Sequence, residues 1–271
     1  MKELVVRGLS GLLFVSILVF TLFSSMDAFD LLFFIIGFIC MNEVKRLIAL
    51  KSWFPYLLFP LLYYYMIILS PSEDIKNVLL AGTLLVNLYL VRDVLLLKKI
   101  PMTGIKKHLI ITAYMMGSLV FLALLPRASG GFDPKLMVGV FILIWSNDSF
   151  AYLVGKNFGK TKLLELISPK KTVEGALGGL AGSILAGIGI WLVTDHFTWY
   201  HWLLLAVVVT VFGTLGDLIQ SKLKRQAGVK DSGNLLPGHG GLFDRMDSLI
   251  FAAPFAYTTI IILEHVSQGR L

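Results

Sequence analysis

Nine apolar stretches recur from one end of the 271-residue chain to the other, each near the roughly 20 residues a helix needs to cross a bilayer. They run over about 8–25, 29–44, 53–70, 77–97, 108–126, 135–155, 172–194, 201–220 and 246–264. Water-soluble domains carry about a quarter charged residues, whereas this chain has 15% charged and 56% hydrophobic residues, with a mean hydropathy of +0.80. A disordered chain, a soluble enzyme and a nucleic-acid-binding domain are excluded. The predicted fold class is all-α, a polytopic integral membrane helical bundle of about nine transmembrane helices. Pro55, Pro60 and Pro254 fall inside predicted spans, where neighbouring helices or water satisfy the freed carbonyls.

The net charge of +7 is explained by position. Sorting the 24 Lys and Arg residues onto alternate sides puts 20 with the N-terminus and the connections after spans two, four, six and eight. Only Lys76, Arg127, Lys135 and Arg270 fall on the other side, where the short connections carry Asp27, Asp30, Glu73, Asp74 and Asp195. The positive-inside rule then predicts a cytoplasmic N-terminus and an external C-terminus in the cytoplasmic (inner) membrane. Lys2 and Arg7 followed by Gly8 to Phe23 resemble a signal peptide, and we read this segment as an uncleaved first span. The single cysteine, Cys40, excludes an intramolecular disulfide and a cysteine-built zinc site.

Polarity divides the chain. Residues 1–130 read as structural transmembrane helices with basic connections; residues 131–271 read as helices and cytoplasmic loops that carry a site. In the second part Asn147, Asp148, Asp217, Asp244, Arg245 and Asp247 stand inside or at the edge of spans. A carboxylate at membrane depth costs several kcal/mol unless paired, hydrated or bound to a cation. Four of them at the cytoplasmic ends of three spans mark a site better than they mark helix packing.

Four segments surround these residues. The first, W-S-N-D-S-F-A-Y-L-V-G-K-N-F-G-K from Trp145 to Lys160, puts Asp148 and Tyr152 on one helical face, ahead of Lys156 and Lys160. In the second, S-P-K-K-T-V-E-G from Ser168, the residue types predict Ser168 as helix N-cap and Pro169 as first helical residue. The amides opening that span would then lie beside Lys170 and Lys171 as a phosphate cradle. The small residues that follow, Gly178, Gly179, Gly182, Ser183, Ala186 and Gly187, predict close helix packing. The third segment sets Asp217 and Ser221 on one face before Lys222, Lys224 and Arg225. The fourth joins a tight Pro237-Gly238-His239-Gly240-Gly241 backbone to Asp244 and Asp247, spaced i,i+3.

Carboxylates without Cys or clustered His favour a hard cation such as Mg²⁺. Lysines and arginines at the same level favour a polyphosphate. Together they point to phosphoryl or nucleotidyl transfer, in which catalysis is mostly positioning and charge neutralisation. A transporter also needs intramembrane carboxylates, but it needs neither the Ser-Pro-Lys-Lys nor the Pro-Gly-His-Gly-Gly loop. No inverted repeat of discontinuous helices is readable. A structural scaffold predicts that Asp217→Asn is harmless.

The run S-K-L-K-R-Q-A-G-V-K-D-S-G-N-L-L-P-G-H-G-G-L-F-D-R-M-D, from Ser221 to Asp247, resembles the signature of the phosphatidate cytidylyltransferases, or CDP-diacylglycerol synthases. The Trp145–Lys160 and Ser168–Gly175 segments are similar to that family in the expected order, and the resemblance covers roughly residues 140–255. It implies conversion of CTP and phosphatidate to CDP-diacylglycerol and pyrophosphate with Mg²⁺, at a site facing the cytoplasm, in a homodimer. The number of metals stays open, a second cation included. A lipid phosphomonoester is mostly doubly ionised near neutral pH and needs little help from a general base. On this resemblance Asp217 and Asp244 are expected to bind the metal, with Asp148 and Asp247 beside them. Lys224, Arg225 and Arg245 are expected at the reacting phosphates, with His239 orienting one. Asn147, Asp148, Lys156, Lys160, Lys170, Lys171, Ser221 and Lys222 are expected to contact substrate. A CTP-dependent lipid kinase is the alternative with the same metal chemistry.

Overall fold

The computed structural model describes residues 2–96, 99–194 and 197–267. Lys98, Asp195, His196 and Arg270 lie outside the described residues, as do the side chains of Lys2 and Arg7. Among the described residues nine helices follow, one for each predicted span. They are α1 (Lys2–Ser24), α2 (Met26–Leu47), α3 (Phe54–Ile68), α4 (Glu73–Leu96) and α5 (Gly104–Arg127). Then come α6 (Pro134–Phe158), α7 (Val173–Val193), α8 (Trp199–Gln226) and α9 (Phe243–Ser267). Helices α4 to α9 are long and apolar enough to cross a membrane, and the chain is a multi-pass membrane protein.

Local chemistry sets the helix ends. Ser25 alone separates α1 from α2, its hydroxyl accepting from the Ala28 amide at 3.0 Å. Thr103 does the same for Lys106 at 3.3 Å, and Asp133 for Lys135 at 2.9 Å with Pro134 opening α6. Beyond Pro60, α3 finishes in a widened turn that closes with Leu69 N on Tyr64 O at 3.1 Å.

Helix α5 is the axis of the bundle. Every residue from Tyr114 to Pro126 is buried, the pattern of a helix that is apolar all round. It packs against α4 and α9, with Tyr114 edge-on to Phe251 (5.9 Å between ring centroids) and Phe121 tilted against Tyr257 (5.1 Å). At the end away from the site, Arg127 pairs with Asp30 at 2.6 Å and Tyr63 donates to the Asp30 carbonyl at 2.8 Å.

The largest helix–helix contact joins α6 to α7. A Cβ added at Gly178 would strike Val154, at Gly179 it would strike Asn147, and at Gly182 it would strike Phe150. The small-residue stripe is therefore covered by α6 of the same chain.

One expectation at this end is corrected. Ser168 is not a helix cap and Pro169 does not open a helix: Lys162–Leu164 (β1) and Ser168–Thr172 (β2) form an antiparallel hairpin. Helix α7 starts at Val173 because Thr172 supplies the cap, its hydroxyl accepting from Gly175 N at 3.1 Å. Glu174 then turns back to accept from the Lys160 and Thr161 amides at 3.0 and 3.1 Å. The hairpin is a small β element on an otherwise all-helical chain, and it lies over the α6–α7 end of the bundle.

Candidate active site

Helices α6 and α8, the start of α7 and strand β2 enclose a cavity of about 250 Å³. Asn147 and Asp148 come from α6, Lys170, Lys171 and Thr172 from β2, and Asp217 from α8. Asp217 is ion-paired with Lys171 and accepts from Ser221 at 3.0 Å, as their shared face required. Asn147 donates to Asp148 at 3.2 Å, which leaves the buried Asn147 Oδ1 without a hydrogen-bond partner. From α9, the Asp247 carboxylate lies within electrostatic reach of Asp217, Asp148 and Lys171, and it accepts from the Ser248 amide at 2.8 Å. The close α8–α9 approach is made at Gly216, where a Cβ would lie 2.8 Å from the Asp247 carbonyl.

Asp244 sits apart from that cavity. Its Oδ1 accepts from Lys224 Nζ at 2.6 Å and Gln220 Nε2 at 3.2 Å. Its Oδ2 accepts from the Ser232 amide at 2.8 Å and from Gly241 N at 2.9 Å, with the Ser232 hydroxyl oxygen 3.0 Å away. Beside it Glu43 of α2, 5% exposed, accepts from Ser232 Oγ at 2.6 Å, Leu242 N at 3.0 Å and Phe243 N at 2.9 Å. Two carboxylates thus gather the loop from Ser232 to Phe243 and cap the start of α9. A Cβ at Gly241 would collide with both Ser232 and Glu43. Gly238 and Gly240 adopt positive φ (74° and 86°) in the turn that pairs Leu236 with Gly240.

The same loop lines a polar cavity of about 570 Å³ with Lys230, Asn234, His239 and Arg245. His239 Nδ1 shares a 2.8 Å hydrogen bond with Ser10 of α1, and Arg245 donates to the His239 carbonyl at 3.1 Å. Arg245 is also within electrostatic reach of Asp148. The remaining basic residues are dispersed. Lys224 is held by Asp244. Lys222 is buried, donating to the carbonyls of Asp93 and Val94 at the end of α4 (3.1 and 3.0 Å). Arg225 is exposed at a larger cavity beneath the hairpin. Lys156 and Lys160 are exposed at the rim, Lys156 over the Tyr152 ring at 5.8 Å.

Among the described residues, no three carboxylate, imidazole or thiol groups form a ready-made cation cage. Mg²⁺ does not require one, since it keeps waters and substrate phosphate oxygens alongside one or two carboxylates. Asp148, Asp217 and Asp247, with the orphaned Asn147 oxygen beside them, are the hard oxygen donors such an ion takes. The about four acceptor positions of the Asp244 carboxylate are taken by Gln220, Lys224 and the Ser232 and Gly241 amides.

A family profile described as "Cytidylyltransferase family" matches residues 5–263, nearly the whole chain. The chain belongs to the cytidylyltransferase family. Its curated relatives include three proteins named phosphatidate cytidylyltransferase. The protein from Synechocystis is 48% identical over 139 residues, 49% of this chain and 46% of that protein. The one from Bacillus subtilis is 50% identical over 117 residues, 43% and 44% of the two chains. The one from Staphylococcus aureus strain COL is 46% identical over 123 residues, 45% and 47%. The chain spans about half the length of the curated relatives it matches.

Several residues of this cytidylyltransferase-family site went unread in the sequence. Glu43 carried the available signal, an acid within a predicted span, but appeared only as an interruption of that span's polar end. Asp93 and Lys106, a buried ion pair joining α4 to α5, stand 13 residues apart at two helix ends and give no local pattern. Ser10 lies 229 residues from His239, beyond any local periodicity.

Proposed function

We propose that the protein is a phosphatidate cytidylyltransferase, converting CTP and phosphatidate to CDP-diacylglycerol and pyrophosphate in phospholipid biosynthesis. The observation that carries this reading is the meeting of Asp148 and Asp217 with Lys170 and Lys171 in one cavity, within electrostatic reach of Asp247, in a chain of the cytidylyltransferase family. The names of the three relatives supply the substrate pair.

Mg²⁺ held by Asp217 together with Asp148 or Asp247 would supply charge neutralisation between the two anionic substrates. Lys170 and Lys171 reach into the cavity from the hairpin side, where they bind phosphate oxygens; an incoming phosphate takes over from Asp217 as the partner of Lys171. His239 and Arg245 extend the cationic surface toward the neighbouring polar cavity, which suits the leaving end of the triphosphate. A phosphatidate oxygen forms the new bond to the α-phosphorus of CTP. The bond from that phosphorus to the bridging oxygen of the β-phosphate breaks, and pyrophosphate leaves with the electron pair. Asp244, Lys224 and Glu43 act through the loop as positioning residues. Lys222 does the same through the end of α4.

We place the site on the cytoplasmic side of the inner membrane, which the distribution of Lys and Arg supports. There CTP arrives from water and phosphatidate from the leaflet. A homodimer is the assembly the family resemblance favours. The glycine stripe lends it no support, being covered within the chain.

The test is incorporation of cytidine-labelled CTP into extractable lipid by purified protein with phosphatidate and Mg²⁺. Label in lipid that requires all three components supports the reading. Label entering lipid only from the γ-phosphate would replace it with a lipid kinase.

A further inference from the structure

His239, which lines the polar cavity before α9, stands in a turn whose backbone is fixed at several points. Its amide donates to the Leu236 carbonyl at 2.9 Å, the Leu236 amide donates to Gly240 O at 2.9 Å, and the His239 carbonyl accepts from Arg245 at 3.1 Å. The imidazole is held by α1. Ser10 Oγ lies 2.8 Å from His239 Nδ1 and donates to the Pro237 carbonyl at 3.1 Å. A Cβ at Gly11 would lie 3.6 Å from His239 Cε1 and 3.8 Å from Nε2, so the α1 backbone rests against the same ring.

These contacts assign the ring's tautomer. A hydroxyl has one hydrogen to give and two lone pairs with which to accept. With that hydrogen on the Pro237 carbonyl, Ser10 Oγ accepts from Nδ1, so Nδ1 is the N–H nitrogen. The opposite tautomer would take the Ser10 hydrogen away from the carbonyl and exchange one bond for another, whereas Nδ1–H satisfies both. The proton that comes and goes is then the one on Nε2.

A phosphate oxygen needs that arrangement. An imidazolium bonded to Ser10 through Nδ1 gives its Nε2 hydrogen to the anion, a charge-assisted bond of the stronger kind. The hydroxyl fixes the ring plane before the anion arrives, so the ordering cost is met in the free protein. Without the hydroxyl the ring turns about its own side-chain bonds, and the two nitrogens become interchangeable.

We propose that Ser10 is a positioning residue of the cytidylyl-transfer site: it fixes His239 with its hydrogen on Nδ1, so that Nε2 serves the triphosphate of CTP. The inference rests on the reading of the polar cavity as the place of the leaving end of that triphosphate. It gives α1, an apolar helix whose main packing partner is α2, a part in the chemistry of a loop 229 residues away.

The experiment compares wild type, Ser10→Ala and Ser10→Thr in two measurements on the purified protein. The first is NMR of ¹⁵N-histidine-labelled protein at about pH 8.5, where an ordinary imidazole is neutral, with His239 assigned by its loss in His239→Asn. Wild type and Ser10→Thr are expected to carry the hydrogen on Nδ1, and Ser10→Ala to move toward the Nε2–H form that a solvated imidazole favours. The second is initial rates. Ser10→Ala is expected to raise the KM for CTP about three- to tenfold, the worth of one net hydrogen bond, with the KM for phosphatidate and the melting temperature unchanged; Ser10→Thr is expected to restore it. Nε2–H in wild type, or a Ser10→Ala protein with the wild-type KM for CTP, would overturn the inference. So would an equal rise for both substrates with a lowered melting temperature, the mark of a hydroxyl that only holds the fold. Folded wild type that transfers cytidine to no lipid would overturn the phosphatidate reading instead, and the nitrogen spectra, which need no turnover, tell the two failures apart.

Discussion

Asp217 and Asp244 look alike in the sequence, each an acid at the cytoplasmic end of a span, and the structure gives them different surroundings. Asp217 lines an open cavity and has one exchangeable lysine partner, whereas Asp244 is enclosed by four donors. Their Asn variants should therefore fail differently. Asp217→Asn is expected to lower kcat at least 100-fold and to raise the Mg²⁺ concentration for half-maximal rate, with thermal stability unchanged; a Mg²⁺ titration followed by a melt checks both. Asp244→Asn leaves Lys224 without its anionic partner and is expected to cost about 3 kcal/mol. Its lowered melting temperature should come without a shift in Mg²⁺ dependence. An Asp244→Asn protein of wild-type stability with a changed Mg²⁺ requirement would reverse the two roles. Sequence pattern located both residues, because an acid at membrane depth is conspicuous. It could not separate them, because the donors around Asp244 come from Ser232, Gly241, Gln220 and Lys224 through loop closure.

Elements differed in how far their residues disclosed them. The nine helices were readable because a bilayer demands about 20 apolar residues per crossing and satisfies no backbone group itself. The β-hairpin was not. Ser168-Pro169 has the composition of a helix start, and the tertiary contacts of Thr172 and Glu174 moved that start by several residues. Thr172→Ala removes the α7 cap and is expected to cost about 1 kcal/mol. Because Lys170 and Lys171 ride on the strand that ends at this cap, the KM for CTP should rise as well, measurable by initial rates. Across the α6–α7 seam, Gly182→Val drives a side chain into Phe150 and is expected to cost about 1–3 kcal/mol in a thermal melt. Gly189, which has open space around its Cβ position, should accept the same change at little cost.

At the scale of the whole molecule, the first five helices do more than frame the last four. Helix α5 forms the buried axis, α2 sends Glu43 into the loop before α9, and α4 receives Lys222. Site chemistry was legible from residue 145 onward, while this support was not, since it depends on pairs separated by more than 100 residues. Orientation is a prediction at the same scale. With Cys40 replaced by Ser, a cysteine in place of Lys230 should react with a membrane-impermeant reagent only from the cytoplasmic face, and one in place of Lys76 only from outside. The central claim is that the α-phosphorus of CTP is joined to the phosphate of phosphatidate, and ³¹P NMR of the purified reaction tests it most directly. The account predicts a new pair of coupled diphosphate resonances from CDP-diacylglycerol, growing in a 1:1 ratio with free pyrophosphate and disappearing when EDTA removes Mg²⁺. Release of CDP with a lipid pyrophosphate and no free pyrophosphate would contradict it.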